Sequence, residues 1–282
     1  MNCISLKNVS YKYPYMEEFA LQELNYAFET GKCYGIIGAN GSGKTTFCNL
    51  LRGMIPHFFE GDLTGDVLIE GNDVRNWDSN LLSTKIGYIF QNPFTQISGI
   101  KDTVFEEIAL GLENLGVEKE VLIDRVIEVV KLLKLEQLIK KNPNNLSGGQ
   151  KQRVAFASII AMNSDILVID EPTSQLDPES SAEIFSIINL LKEQGKTIFL
   201  VEHKVDLIAE YTDEVIVLKD GRIALSGSAL DVFSNIDLLQ MGVMLPQAAM
   251  LSYDMQKANK AFDTIAITKS QVIDQIKQRV GV

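Results

Sequence analysis

The octapeptide GANGSGKT, Gly38–Thr45, lies between the apolar run CYGII at Cys33–Ile37 and a helical pattern that opens with TTFCNLL at Thr45. Its spacing satisfies GxxxxGK[ST]. Gly38, Gly41 and Gly43 free the backbone to curl until several N–H groups point inward, which forms an anion nest at the start of a helix. Lys44 adds positive charge to that nest, and Thr45 offers the hard hydroxyl oxygen that Mg2+ prefers. A strand before the loop and a helix after it are what a phosphate site requires, and this context separates the motif from a plain glycine turn.

Around this loop, short apolar runs rich in β-branched residues recur at KIGYIF, DILVID, TIFLVE and EVIVLK, as strands covered on both faces would. Helical patterns lie between them, so the class expected is α/β. Val121–Lys141 predicts one amphipathic helix with Ile123, Val126, Ile127, Val130 and Leu133 on its buried stripe. Gly61–Val74, GDLTGDVLIEGNDV, reads as one or two hairpins.

The 282 residues are 46% hydrophobic, enough to bury a large core. No apolar run approaches the roughly 18 residues of a membrane helix, and the opening MNCISLKNVS lacks the regions of a signal peptide, so a cytosolic chain is expected. A net charge of -11 argues against broad nucleic-acid binding, which needs basic surface to neutralise phosphates. Cys3, Cys33 and Cys48 form no CxxC pair, so buried, reduced thiols are expected.

Two further motifs carry chemistry. DILVIDEP, Asp165–Pro172, ends an apolar strand in adjacent carboxylates, and alternation along a strand sends Asp170 and Glu171 in different directions. Asp170 is the candidate anchor for Mg2+, and Glu171 the candidate to orient or deprotonate an attacking water. LSGGQKQR, Leu146–Arg153, places Ser147 at a helix cap and follows it with two glycines that add nothing to helix stability. Something is expected to approach closely there.

GANGSGKT, Gln91, LSGGQ, ILVIDEP, SQLD and EHK occur in the order and approximate spacing of the ATP-binding cassette (ABC) ATPases, and the resemblance spans residues 3 to about 240. It implies a P-loop NTPase core with an antiparallel β subdomain and an α-helical subdomain at about 92–164, all within 1–225. A small C-terminal helical extension, 226–282, would assist dimerisation. It implies ATP and Mg2+ as cofactors, with ATP held by Tyr13, Gly38, Asn40, Gly41, Ser42, Gly43, Lys44, Thr45 and Thr46. Two cassettes would associate head to tail, so that Ser147, Gly148, Gly149, Gln150 and Asp177 complete the site of a second cassette, a copy or a paralogue. Catalysis would fall to Glu171, His203, Gln91 and Lys44, and metal binding to Thr45, Gln91 and Asp170. Tyr11 competes with Tyr13 as the aromatic that stacks on adenine. Gln175 stands where the family more often has a small residue, which puts communication across the dimer in doubt.

FQNPFTQISG, with its second glutamine at Gln96, is similar to ATPases of energy-coupling-factor (ECF) importers, as are Gly53–Val67, Thr103–Val117, Val201–Ile223 and the tail Leu238–Met255. That resemblance implies a peripheral subunit on the cytoplasmic face of the membrane. Its partners would be an integral membrane coupling subunit and a substrate-binding membrane subunit, without nucleic acid. Other transporter ATPases, soluble ABC ATPases and non-hydrolysing cassettes are the alternatives. A soluble ABC ATPase acting on ribosomes or DNA predicts tandem cassettes or a basic face. A non-hydrolysing cassette predicts the loss of Glu171, His203 or a signature residue.

Overall fold

The structure, a computed structural model, describes residues 2–258 and 262–280. Its strands are β1 (Asn2–Lys12), β2 (Leu21–Glu29), β3 (Cys33–Ile37), β4 (Asp62–Ile69), β5 (Asn72–Asp73), β6 (Ile86–Ile89), β7 (Ile166–Asp170), β8 (Thr197–Val201), β9 (Glu214–Lys219) and β10 (Arg222–Ser228). They form two sheets, one ordered β2-β1-β4-β5 and the other β10-β9-β3-β8-β7-β6. In the larger sheet β9, β3, β8, β7 and β6 run parallel, and β10 closes the edge antiparallel to β9. The smaller sheet is antiparallel throughout.

The parallel strands read as continuous apolar runs because each face packs on a different core. Ile37, Leu167, Ile169 and Leu200 point into a cluster shared with the helices at Val104–Asn114, Lys119–Leu132 and Gly148–Ala161. Their neighbours Ile36, Ile166, Val168 and Val201 point the other way, against the antiparallel sheet and the helix Lys44–Leu51. The side-chain period of two therefore divides each strand between the two subdomains. The Gly61–Val74 segment forms the β4-β5 hairpin, turning through Glu70 and Gly71 at φ 48° and 81°. Two successive positive φ values give the turn a twist that matches its strands.

One expected helix is shorter than its pattern. The helix ends at Leu132, and Lys134 takes φ 54°, so the chain turns before Lys141. Its buried stripe is also rotated: Leu122, Val126, Val129 and Val130 face the core, while Ile127 is exposed. The extension contains helices at Ala229–Phe233, Gln247–Lys257 and Lys269–Val280. The 225/226 boundary falls inside β10, which stays paired with β9 as far as Ser228. Val243, Leu245 and Ala249 of the extension join the main core, whereas Phe262, Ala266 and Val272 form a satellite cluster. Residues 259–261 and 281–282 of the expected extension lie outside the described residues.

Candidate active site

Four loops leave the carboxyl ends of adjacent parallel strands β3, β6, β7 and β8, the usual place for a ligand crevice in an open α/β sheet. The first loop follows β3 and ends in the helix Lys44–Leu51. Gly38 has φ 156°, and a Cβ there would come within 2.3 Å of the Leu218 carbonyl oxygen and 2.5 Å of Ser42 Oγ. Only glycine fits this curl. Lys44 Nζ donates to the carbonyls of Gly38 at 2.8 Å and Ala39 at 3.0 Å, folding its ammonium back over the loop. Burial lowers the Lys44 pKa from its ordinary 10.5, against the opposing pull of Glu171 and Asp170. Ser42 Oγ is buried and has no partner among the described residues. An ammonium starved of water and an orphaned hydroxyl on one loop are the groups that phosphate oxygens would satisfy.

Asp170 ends β7 and Glu171 is the first residue beyond it, and the two carboxylates take different partners. Asp170 Oδ2 accepts from the Tyr88 hydroxyl at 2.8 Å. Glu171 continues the ladder through its N–H to the Val201 carbonyl at 2.9 Å while taking φ 45°, a left-handed conformation uncommon outside glycine. Its carboxylate sits between two partners. Gln91 Nε2 donates to Oε2 at 2.6 Å, and His203 Nε2 lies 2.9 Å from Oε1. Thr45 is exposed at the helix start and Asp170 is half-buried. A hydroxyl, a carboxylate and a carboxamide are hard oxygen donors that fit Mg2+. Among the described residues no group of three or more His, Cys, Asp or Glu side chains could hold a metal ion, so phosphate oxygens would be needed to complete such a site.

Ser147 caps the helix Gly148–Ala161 in a capping box with Gln150. Space is open beside Gly148, but a Cβ on Gly149 would meet Ser180 Oγ at 2.6 Å. One glycine thus leaves room for an approaching group, and the other serves a close contact inside the chain. Ser180 also donates its N–H and hydroxyl to Asp177, at 2.9 and 2.8 Å. These bonds hold the Asp177 carboxyl below its ordinary pKa. Of the two tyrosines, Tyr11 is fully buried and donates to the Glu60 carbonyl at 3.0 Å. Burial pushes its hydroxyl pKa up to about 12. Tyr13 is half-buried, with its hydroxyl 3.2 Å from Thr46 Oγ1. The strand thus leaves Tyr13 beside the phosphate loop and Tyr11 in the core. Asn40 and Gly41 are exposed at the loop's tip.

The family profile described as ABC transporter matches residues 21–174. The chain belongs to the ABC transporter family. A chain of Pyrococcus horikoshii provisionally named an ABC transporter ATP-binding protein is 41% identical over 98% of this chain and 97% of its own length. The energy-coupling factor transporter ATP-binding protein EcfA2 of Streptococcus thermophilus is 38% identical over 96% and 98%. CbiO1 of Clostridium perfringens, part of an ABC transporter complex, superposes with a TM-score of 0.74 at 29% identity, over 85% of this chain and 93% of its own. The dimeric cassette MJ0796, bound to ADP and Pi, does so at 0.68 and 30%, over 80% and 98%. This chain is thus an ABC ATPase with the P-loop NTPase fold, and it resembles the ECF subunits over nearly its whole length.

Three sets of contacts in this ABC cassette are visible only in the structure. Gln96 closes the exit from β6 on itself, donating to the Tyr88 carbonyl at 3.3 Å and accepting from Phe90 N–H at 3.1 Å. Tyr88, besides reaching Asp170, has the Arg52 guanidinium 3.8 Å from its ring centre. Arg52, Met54, His57, Phe58, Leu82 and Tyr88 line a groove of about 340 Å³. Glu202, the acid that follows TIFLV, is buried beside His203.

Proposed function

We propose that this chain is the ATP-hydrolysing subunit of an ECF-type importer, which couples ATP binding and hydrolysis in a cassette dimer to uptake of a vitamin or metal ion. The observation that carries the catalytic part is the Glu171 carboxylate, held between Gln91 and His203 at the strand ends that face the phosphate loop. Lys44 and the loop amides bind the phosphates of ATP. Mg2+ bound through Thr45, Gln91 and Asp170 supplies charge neutralisation on those phosphates. Glu171 orients the attacking water and accepts its proton, and His203 steadies the phosphoryl group being transferred. With nucleotide present, Gln91 would leave Glu171 and help Thr45 and Asp170 hold Mg2+. Tyr13 lies under the adenine.

Ser147, Gly148, Gly149, Gln150 and Asp177 complete the site of a second cassette, either a copy or a paralogue, and the extension helps hold the pair. Support comes from the dimeric relative bound to ADP and Pi and from the open space beside Gly148. The groove floored by Tyr88 receives the integral membrane coupling subunit, which works with a substrate-binding membrane subunit. Among the described residues no helix is long and apolar enough to cross a membrane. In this reading the subunit acts from the cytoplasmic face through those partners. The ECF assignment rests on likeness to EcfA2 across 96% of this chain, extension included. Detergent extraction from the native cell, capture on this chain and identification of the membrane proteins retained test it. Recovery of a coupling subunit with a small vitamin- or metal-binding subunit is expected, and retention of a large permease alone would overturn the ECF reading.

A further inference from the structure

Glu202 follows β8 directly and is 3% exposed. Burial of a carboxylate is tolerated where hydrogen bonds replace its water. Oε1 accepts from the hydroxyl of Thr173, itself fully buried. Oε2 accepts from the N–H groups of His203 at 2.7 Å and Lys204 at 3.3 Å. Lys204 Nζ then reaches back to the Thr173 carbonyl at 3.2 Å, the Thr173 hydroxyl at 3.1 Å and Ser181 Oγ at 3.3 Å. The Thr173 hydroxyl therefore donates a hydrogen bond to Glu202 and accepts one from Lys204.

These bonds join the same two loops that meet in the candidate active site. One rung is exposed to the crevice: His203 Nε2 to Glu171 Oε1 at 2.9 Å. A second rung is buried behind it, from Thr173 to Glu202. Between them the Glu171 N–H bonds the Val201 carbonyl at 2.9 Å, with Glu171 in its left-handed conformation. A left-handed non-glycine residue persists only where its surroundings over-determine it. Ser174 N–H bonds the Glu171 carbonyl at 3.2 Å, so the turn that carries Thr173 also bears on Glu171, and the buried rung holds the amide from which the His203 side chain starts.

We infer that Glu202 is a positioning residue for hydrolysis, acting with Thr173 to hold His203 and Glu171 in register. The inference rests on the proposed roles of His203 and Glu171. A displacement of about 1 Å at reacting groups can cost 100-fold, so loss of the buried rung is expected to lower kcat by about 10- to 100-fold. The KM for ATP should stay within about twofold, because none of these bonds involves the phosphate loop.

The test is a double-mutant cycle on the full chain in its cassette assembly, with kcat, the KM for ATP and the melting temperature measured for each variant. His203→Ala alone is expected to lower kcat by about 100-fold or more. Glu202→Gln should lower kcat in the wild-type background and change it less than about twofold in the His203→Ala background. Thr173→Val should behave as Glu202→Gln does, and Thr173→Ser, which keeps the hydroxyl, should restore turnover. A purely structural Glu202 would lower the melting temperature and leave kcat alone, or lower kcat equally in both backgrounds; either result overturns the inference. Should Glu202→Gln unfold the chain, the Thr173→Val and Thr173→Ser pair decides in the same way. Full turnover in His203→Ala would overturn the reading of His203 itself, and the inference with it. Lost turnover in His203→Ala beside normal turnover in Glu202→Gln would overturn the inference alone.

Discussion

Gln91 Nε2 lies 2.6 Å from Glu171 Oε2, so the residue that ends one strand run holds the carboxylate that ends another. Gln91 is exposed and its backbone leads straight into the segment toward Gln96, whereas Glu171 is backed by the sheet. Gln91 is therefore the partner less enclosed by its surroundings. Removing its amide with Gln91→Ala is expected to leave ATP binding within about twofold and to weaken the link between hydrolysis and transport. Transport and ATP turnover measured together in reconstituted vesicles check this, and tightly coupled transport by the variant would refute the role.

Lys44 offers a pH test whose sign is fixed. Burial lowers its pKa from 10.5 in the free chain, and bound phosphates would raise it again. ATP affinity is then at its full value below the free-chain pKa and falls as pH rises between the free and bound values, with a proton taken up on binding in that window. Calorimetry in alkaline buffers of different ionisation enthalpy should detect that uptake. Lys44→Ala should abolish it and weaken ATP binding by about tenfold or more, the scale of one charge-assisted contact.

The two tyrosines should separate cleanly. Tyr13→Ala is expected to weaken ATP binding, with Tyr13→Phe restoring it, since stacking needs the ring and not the hydroxyl. Tyr11→Ala empties a fully buried position and should cost about 3–5 kcal/mol in denaturant unfolding. Nucleotide titration and urea melts of the three variants distinguish a binding ring from a packing ring.

Acid stability has a specific contributor at Glu214. Burial alone would raise its pKa from 4.5, but hydrogen bonds from Lys32 at 2.6 Å and Tyr26 at 2.6 Å outweigh burial and lower it. A carboxyl depressed in the folded state stabilises the fold above its unfolded value and loses that contribution as pH falls through the folded value. Wild-type stability should therefore drop more steeply than that of Glu214→Gln as pH falls below 4.5, measured by chemical denaturation across that range.

Much of this fold is written in local patterns. The strand runs and GANGSGKT mark the parallel sheet and its first loop because covered strands and an anion nest both need residue types that few other structures want. The helix at Lys119–Leu132 was less legible. Its apolar residues crowd so closely that two stripes compete, and Leu122 and Val129 win over Ile127 only through packing against other helices. Nothing in KLLKLEQLIKK announces the left-handed turn at Lys134. The candidate site divides in the same way. Asp170, Glu171 and His203 stand at strand ends where motif spacing finds them, but the bonds of Tyr88 to Asp170 and Thr173 to Glu202 join segments far apart in sequence. An acid placed directly after TIFLV, as Asp170 ends ILVID, was the one available hint at Glu202.

Hydrolysis by Glu171→Gln, measured as a single turnover of ATP alongside nucleotide affinity in the intact assembly, tests the account most directly. The variant keeps the shape of the side chain and removes its capacity to take a proton from water. The account predicts affinity within about twofold of wild type and a rate lower by about 100-fold or more. Hydrolysis at the wild-type rate would contradict it.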